Sequence, residues 1–193
     1  MNTYWEDRFI ALLHKSPLTK EEIAEKQYVR EQAEKELNLQ TSDLLNLLKE
    51  KGVNIKSVWD LVNTKESYPK AIDLLTEHLS HDYHYRNKEG IIRALTVKES
   101  GLKTIRALMQ EYPKIIQEDV KFAVMNAICT ILRCHNPKVL LSETDDNELL
   151  LKEMINYVNG KKTDSIKFEN HFKEKLEHIQ SPCCSKSPDF EQR

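Results

Sequence analysis

Glycine and proline are scarce in this 193-residue chain, four and six in number. An all-β sandwich or barrel needs turn residues about every ten positions, so that class is disfavoured from the start. No run of 18 apolar residues occurs, and nothing reads as a membrane-spanning helix. The opening MNTYWEDRF is acidic and aromatic and lacks the basic and apolar regions of a secretory signal, so a cytoplasmic location is expected. Cysteine is limited to positions 129, 134, 183 and 184, with no C-x-x-C spacing, which fits reduced thiols better than a disulfide framework. There is no phosphate loop, no G-x-G-x-x-G, no G-x-S-x-G and no H-E-x-x-H. Missing motifs lower the expectation of an enzyme without excluding one; no catalytic residue and no cofactor is assigned.

What the chain does have is Lys, Glu, Leu, Ala, Ile and Gln, the good helix formers. Net charge is −2, too small for a global field that would draw nucleic acid or membrane. Its distribution is uneven. Residues 1–83 carry 11 basic and 15 acidic groups, 84–138 carry 10 and 5, 139–160 carry 1 and 5, and the last 33 carry 7 and 6. A basic middle therefore lies between two acidic stretches.

Apolar spacing gives helices throughout. Residues 4–13 present Tyr4, Trp5, Phe9, Ile10, Leu12 and Leu13; Trp5 and Trp59 both read as core residues. Pro17 interrupts, and Thr19 with Glu22 forms a capping box for a charged helix over roughly residues 20–37. TSDLLNLLKEKG stops at Gly52, and SVWDLVN makes a short helix around Trp59. Further helices are expected over 68–79, 85–97, 101–112 and 119–133, then near 146–158, with a last amphipathic one carrying Phe168, Phe172, Leu176 and Ile179. The ending QSPCCSKSPDFEQR reads as a disordered tail over 181–193.

Two segments repeat at an offset of 33. AIDLLTEHL from 71 aligns with TIRALMQEY from 104, and KEGIIRAL from 88 with KFAVMNAI from 121. Ile72 falls on Ile105, Leu75 on Leu108, Ile91 on Val124 and Leu95 on Ile128, while Gly90 falls on Ala123 and Ala94 on Ala127. A mid-helix glycine costs about 1 kcal/mol against alanine. The matched small residues suggest that a neighbouring backbone packs against Gly90; a hinge or ligand contact is the alternative.

This pattern, an A helix, a turn, and a B helix that starts V-[KR] at Val120–Lys121, resembles HEAT repeats. Asp82 followed six positions later by Lys88 also fits the HEAT spacing, whereas Ile115 replaces that Asp in the second unit and Asn87 replaces an apolar residue in the first. The resemblance covers residues 68–134. It implies an all-α fold, an α-solenoid of antiparallel helix pairs with N-terminal and C-terminal helical caps. In it, 1–66 form an N-terminal region packed on the array and 67–180 form the repeats and a cap. Helices 68–79 and 85–97 should then pack beside 101–112 and 119–133. In HEAT arrays the B helices usually line the binding face.

The candidate site follows from that face. Arg86, Lys88, Arg93, Lys121 and Arg133, with Glu89 and Asn126 beside them, would form a basic groove for a protein partner with an acidic surface. The plainer reading is a solvated charged face in which Glu89 pairs with Arg93. The function expected is a non-enzymatic scaffold or adaptor, or an inhibitor of antitoxin-like kind. The alternative is nucleic-acid binding, by resemblance to the HEAT-like DNA glycosylases, against which stand the modest charge and the acidic flanks. His78, His81 and His84 could meet a metal only if the turn folds back on itself, and no metal ligand is assigned. Cys129 reads as a small core residue. A Cys134–His135 dyad is disfavoured because adjacent side chains point apart.

Overall fold

The computed structural model describes residues 4–161 and 163–179; the expected tail at 181–193 lies outside them. Among the described residues the chain is all-α, with no strand. Eleven α-helices follow in order: α1 Tyr4–His14, α2 Lys20–Gln40, α3 Ser42–Glu50, α4 Val58–Asn63, α5 Pro69–His78 and α6 Tyr85–Ala94. Then come α7 Leu102–Glu111, α8 Glu118–Cys134, α9 Pro137–Ser142, α10 Leu149–Gly160 and α11 Ser165–Glu177.

Local chemistry sets most of the boundaries. The Glu22 amide donates to the Thr19 hydroxyl at 3.2 Å and the Thr19 amide donates to the Glu22 carboxylate at 3.0 Å, the capping box expected for α2. Ser57 and Asp60 form a second one at α4. Gly52 adopts φ 83°, a left-handed conformation that ends α3 and redirects the chain. Three boundaries differ from the sequence reading: α2 runs on to Gln40, past the expected end near 37, and two others shift for identifiable reasons. The helix expected over 85–97 stops at Ala94, because the Ser100 hydroxyl takes the Leu95 carbonyl at 2.7 Å and turns the chain. The helix expected near 146 starts at Leu149, because Arg106 pulls the acidic segment into a turn. Its guanidinium holds both oxygens of Glu148 at 2.7 Å and the Glu143 carbonyl at 3.0 Å.

Packing falls into two rows. α3 contacts α5, and α5 contacts α7; α4 contacts α6, α6 contacts α8, and α8 contacts α11. Cross-contacts join α5 to α6, α7 to α8 and α10 to both α8 and α11. All the residues matched at the offset of 33 are buried: Ile72, Leu75, Ile91, Leu95, Gly90 and Ala94, and their partners Ile105, Leu108, Val124, Ile128, Ala123 and Ala127. The Thr76 and Thr104 hydroxyls pair at 2.9 Å between α5 and α7. Lys88 finds Glu111 at the end of α7 at 3.0 Å, whereas Asp82 is exposed and forms no ion pair.

α1 and α2 form a hairpin that packs mainly on itself. Its joint to α6 is polar. Arg86 pairs with Glu6 at 3.0 Å, the Asn87 amide donates to the Leu37 carbonyl at 2.8 Å, and the His84 backbone N–H donates to Gln40 at 3.0 Å. The two tryptophans expected in the core are only half buried. Trp5 lies edge-on to Tyr4 and Tyr28 at the surface of the hairpin, and Trp59 lies across α6.

Gly90 is where α4 meets α6. A Cβ there would lie 2.8 Å from Val58 Cγ2 and 3.0 Å from Trp59 Nε1, so side chains, not a backbone, fill the space the glycine leaves. Valine is stiff at χ1 and cannot swing clear cheaply. Gly90→Ala gains about 1 kcal/mol of helix propensity but overpacks a filled core at a cost of about 1–3 kcal/mol. A net loss on the order of 1 kcal/mol is expected, read in urea as a lower midpoint with an unchanged slope. A more stable variant would show that the contact yields.

Candidate partner-binding surface

The seven residues nominated from the sequence go to separate places. Arg86 turns to Glu6 on α1, whose side chain is only 1% exposed, and Lys88 turns to Glu111 on α7, which is 5% exposed. Glu89 and Arg93 pair with each other at 2.7 Å on the surface of α6. The three on α8 face α11. Lys121 pairs with Glu177 at 2.9 Å, Asn126 accepts from the Ser165 hydroxyl at 2.5 Å, and Arg133 donates to the Thr163 carbonyl at 3.4 Å. The start of α8 thus meets the end of α11 and the end of α8 meets its start, so the two run antiparallel. No hydrogen bond links the α8 group to the α6 group, and all five cations have an intramolecular partner.

Four of the lysines that make no salt bridge and no side-chain hydrogen bond cluster elsewhere. Lys56, Lys65, Lys70 and Lys98 are all exposed, and all line two hollows beside α4 and the N-terminus of α5. The larger hollow, about 590 Å³, lies between the 52–57 loop and the start of α5 and includes Lys56 and Lys70. The smaller, about 320 Å³, includes Lys65, Lys98 and Arg93. They share Leu61, Thr64, Glu66, Ser67 and Tyr68, and so form one groove. Its walls are tied in place. The Tyr68 hydroxyl donates to the Ala94 carbonyl at 2.8 Å, and the Ser67 hydroxyl donates to Glu99 at 2.6 Å. The amides of Lys56 and Ser57 both donate to Asp60.

Segment charge hid this groove. Three of its four lysines, Lys56, Lys65 and Lys70, lie inside the acidic first 83 residues, many of whose carboxylates serve partners elsewhere. The signal that could have found it is lysine beside turn residues, in GVNIK and NTKESYPK.

The three imidazoles do not converge. His78 Nδ1 lies 2.6 Å from the Tyr83 hydroxyl and its ring stacks on His81 at 4.2 Å. His84 instead caps α6, its Nδ1 accepting from the Arg86 amide at 3.4 Å. Among the described residues no group of three His, Cys, Asp or Glu side chains is placed to hold a metal. Cys129 is buried, which raises its thiol pKa and leaves it a poor nucleophile. His135 spends its Nε2 on the Ser100 carbonyl at 2.6 Å, not on Cys134.

Comparison of the chain with protein-family models, with curated proteins and with solved structures finds no match.

Two outcomes are expected from these contacts. Arg86→Ala strands a Glu6 carboxylate in the joint and should cost about 3 kcal/mol, the lower end for breaking a buried pair. Arg93→Ala, at an i,i+4 pair whose Glu89 side chain is 14% exposed, should cost less, about 1 kcal/mol. Equal losses in denaturant melts would mean that the burial of Glu6 adds nothing to the weight of its pair with Arg86. The second outcome concerns pH. Burial lowers the pKa of His78, with His81 adding to the shift and Glu77 and Asp43 opposing it; burial lowers His84 likewise. The unfolded chain therefore takes up protons first as pH falls through the ordinary histidine value of about 6.5. Stability should be full above that value and decline below it until the folded histidines also protonate. His78→Gln with His84→Asn should flatten the profile of thermal midpoint against pH; an unaltered slope would assign the decline to other groups.

Proposed function

We propose that this chain is a non-enzymatic scaffold or adaptor of HEAT-like solenoid organisation that binds a protein partner. The two-row stacking of α3, α5 and α7 against α4, α6, α8 and α11 supports this reading. A helix row laid side by side offers an extended face, and proteins built this way use such faces for binding. α11 covers the α8 part of the second row, so the reading takes the α4–α6 part as the open face, with Glu89, Arg93 and the half-buried Trp59 on it. An inhibitor of antitoxin-like kind is one form of the same activity.

The test is affinity purification of the tagged full chain from its native host, with and without nuclease, followed by mass spectrometry. One stoichiometric protein that survives nuclease and is weakened by Arg93→Glu is the expected result. Arg93 suits this purpose better than Arg86, whose loss disturbs the hairpin joint. Nucleic acid in the eluate, with every protein lost on nuclease treatment, would replace the reading with nucleic-acid binding.

A further inference from the structure

The groove beside α4 carries charge that the fold does not consume. Five cations line it, Lys56, Lys65, Lys70, Arg93 and Lys98, and only Arg93 is in a salt bridge. Elsewhere in the body most cations are matched: Lys88, Lys103, Arg106, Lys114, Lys121, Lys152, Lys173 and Lys175 all pair with carboxylates. Lys20, Lys26, Lys35, Lys49, Lys51, Lys138 and Lys161 make no salt bridge either, but they do not line the groove; what sets Lys56, Lys65, Lys70 and Lys98 apart is that all four border one hollow surface. It also surrounds apolar ground, with Leu61 buried and Val53, Ile55 and Tyr68 half buried at the larger hollow.

We infer that this groove is a docking site for an acidic peptide segment of a partner protein, one that alternates carboxylates with apolar side chains. The inference rests on the reading of the chain as a partner-binding scaffold and names where and what it binds. The lysines supply the charge complement, and the apolar floor supplies pockets for side chains between the carboxylates. A nucleic-acid strand fits less well. Three carboxylates, Asp60, Glu66 and Glu99, share the groove, with Asp60 and Glu99 fixed by hydrogen bonds; they oppose a strand charged at every phosphate, whereas a peptide can set its apolar residues opposite them. Five cations against three carboxylates is too small a surplus for an electrostatically driven phosphate track. The walls are held by intramolecular bonds before any ligand arrives, so little ordering is needed on binding.

The experiment is a display selection of random short peptides on the full chain, with the enriched sequences synthesised and titrated. The expected winners are rich in Asp and Glu with interspersed apolar residues. Lys56→Glu with Lys70→Glu should weaken them by about tenfold or more, the scale of lost close charge pairs. Peptides with their acids replaced by lysine should regain binding to that variant. Both lysines are exposed and unpaired, and Lys70 lies in the first turn of α5, where a glutamate suits the helix dipole. An unchanged thermal midpoint checks the fold, and Arg30→Glu on α2 serves as a remote control that should leave binding intact. No enrichment, basic or neutral winners, or equal binding by the double variant would each overturn the inference. So would displacement of the peptide by a single-stranded oligonucleotide with steep salt dependence, which would assign the groove to nucleic acid. The two readings separate cleanly. A native protein partner held equally well by the double variant removes the groove and leaves the scaffold; groove-dependent peptide binding with no protein partner does the reverse.

Discussion

Everything else in this molecule is arranged around the burial of α8. Nine of its seventeen residues are buried, from Val120 to Leu132, and they cover about two thirds of its circumference, leaving one less buried stripe at Phe122, Asn126, Thr130 and Arg133. A helix with so wide an apolar face must be covered from several sides. α6 and α7 take two faces, α11 takes a third, and α10 closes against it. Phe168, Phe172 and Leu176 of α11 are fully buried in doing so, each worth about 1.5–3 kcal/mol of apolar burial. This demand explains why Lys121, Asn126 and Arg133 are not free: they sit at the edges of a face that hydrophobic burial had already claimed.

Electrostatics follows the packing. Where helices meet, cations and carboxylates at the seams are neutralised in pairs, as in Lys88 with Glu111 and Arg106 with Glu148. The Arg106 guanidinium holds the Glu148 carboxyl below its ordinary pKa and fixes the acidic turn ahead of α10. Around the groove, charge stays available on two loops and on the first turn of α5, away from the helix seams. A surplus of cations in one stretch of chain is thus no guide to a surplus in one region of space.

The helices and the repeat were legible because their signals are local. Capping at Thr19, the stop at Gly52 and the apolar period of residues 71–79 and 104–112 all concern neighbours within a turn or two. The burial of every residue matched at the offset of 33 follows from the same periodicity. What stayed hidden was long-range. Nothing near Arg86 in sequence announces Glu6, 80 residues away, and nothing near Asn126 announces Ser165. Gly90 shows both sides: its small size was readable as a sign of close packing, but the identity of Val58 and Trp59 as the packed atoms was not.

The polar character of the hairpin joint has a consequence for how the chain tolerates being cut. Glu6, Gln40 and Leu37 meet Arg86, His84 and Asn87 through hydrogen bonds, and the Glu36 Oε2 and Gln40 Nε2 atoms at the joint are buried without a partner. Strip α1 and α2 away and water can satisfy Arg86, His84 and Asn87, because each of these joint groups is polar. Strip α11 away and the apolar flank of α8 has nothing to replace it. The two ends of the molecule are thus unequal in kind: one is a removable attachment, and the other is part of the keel.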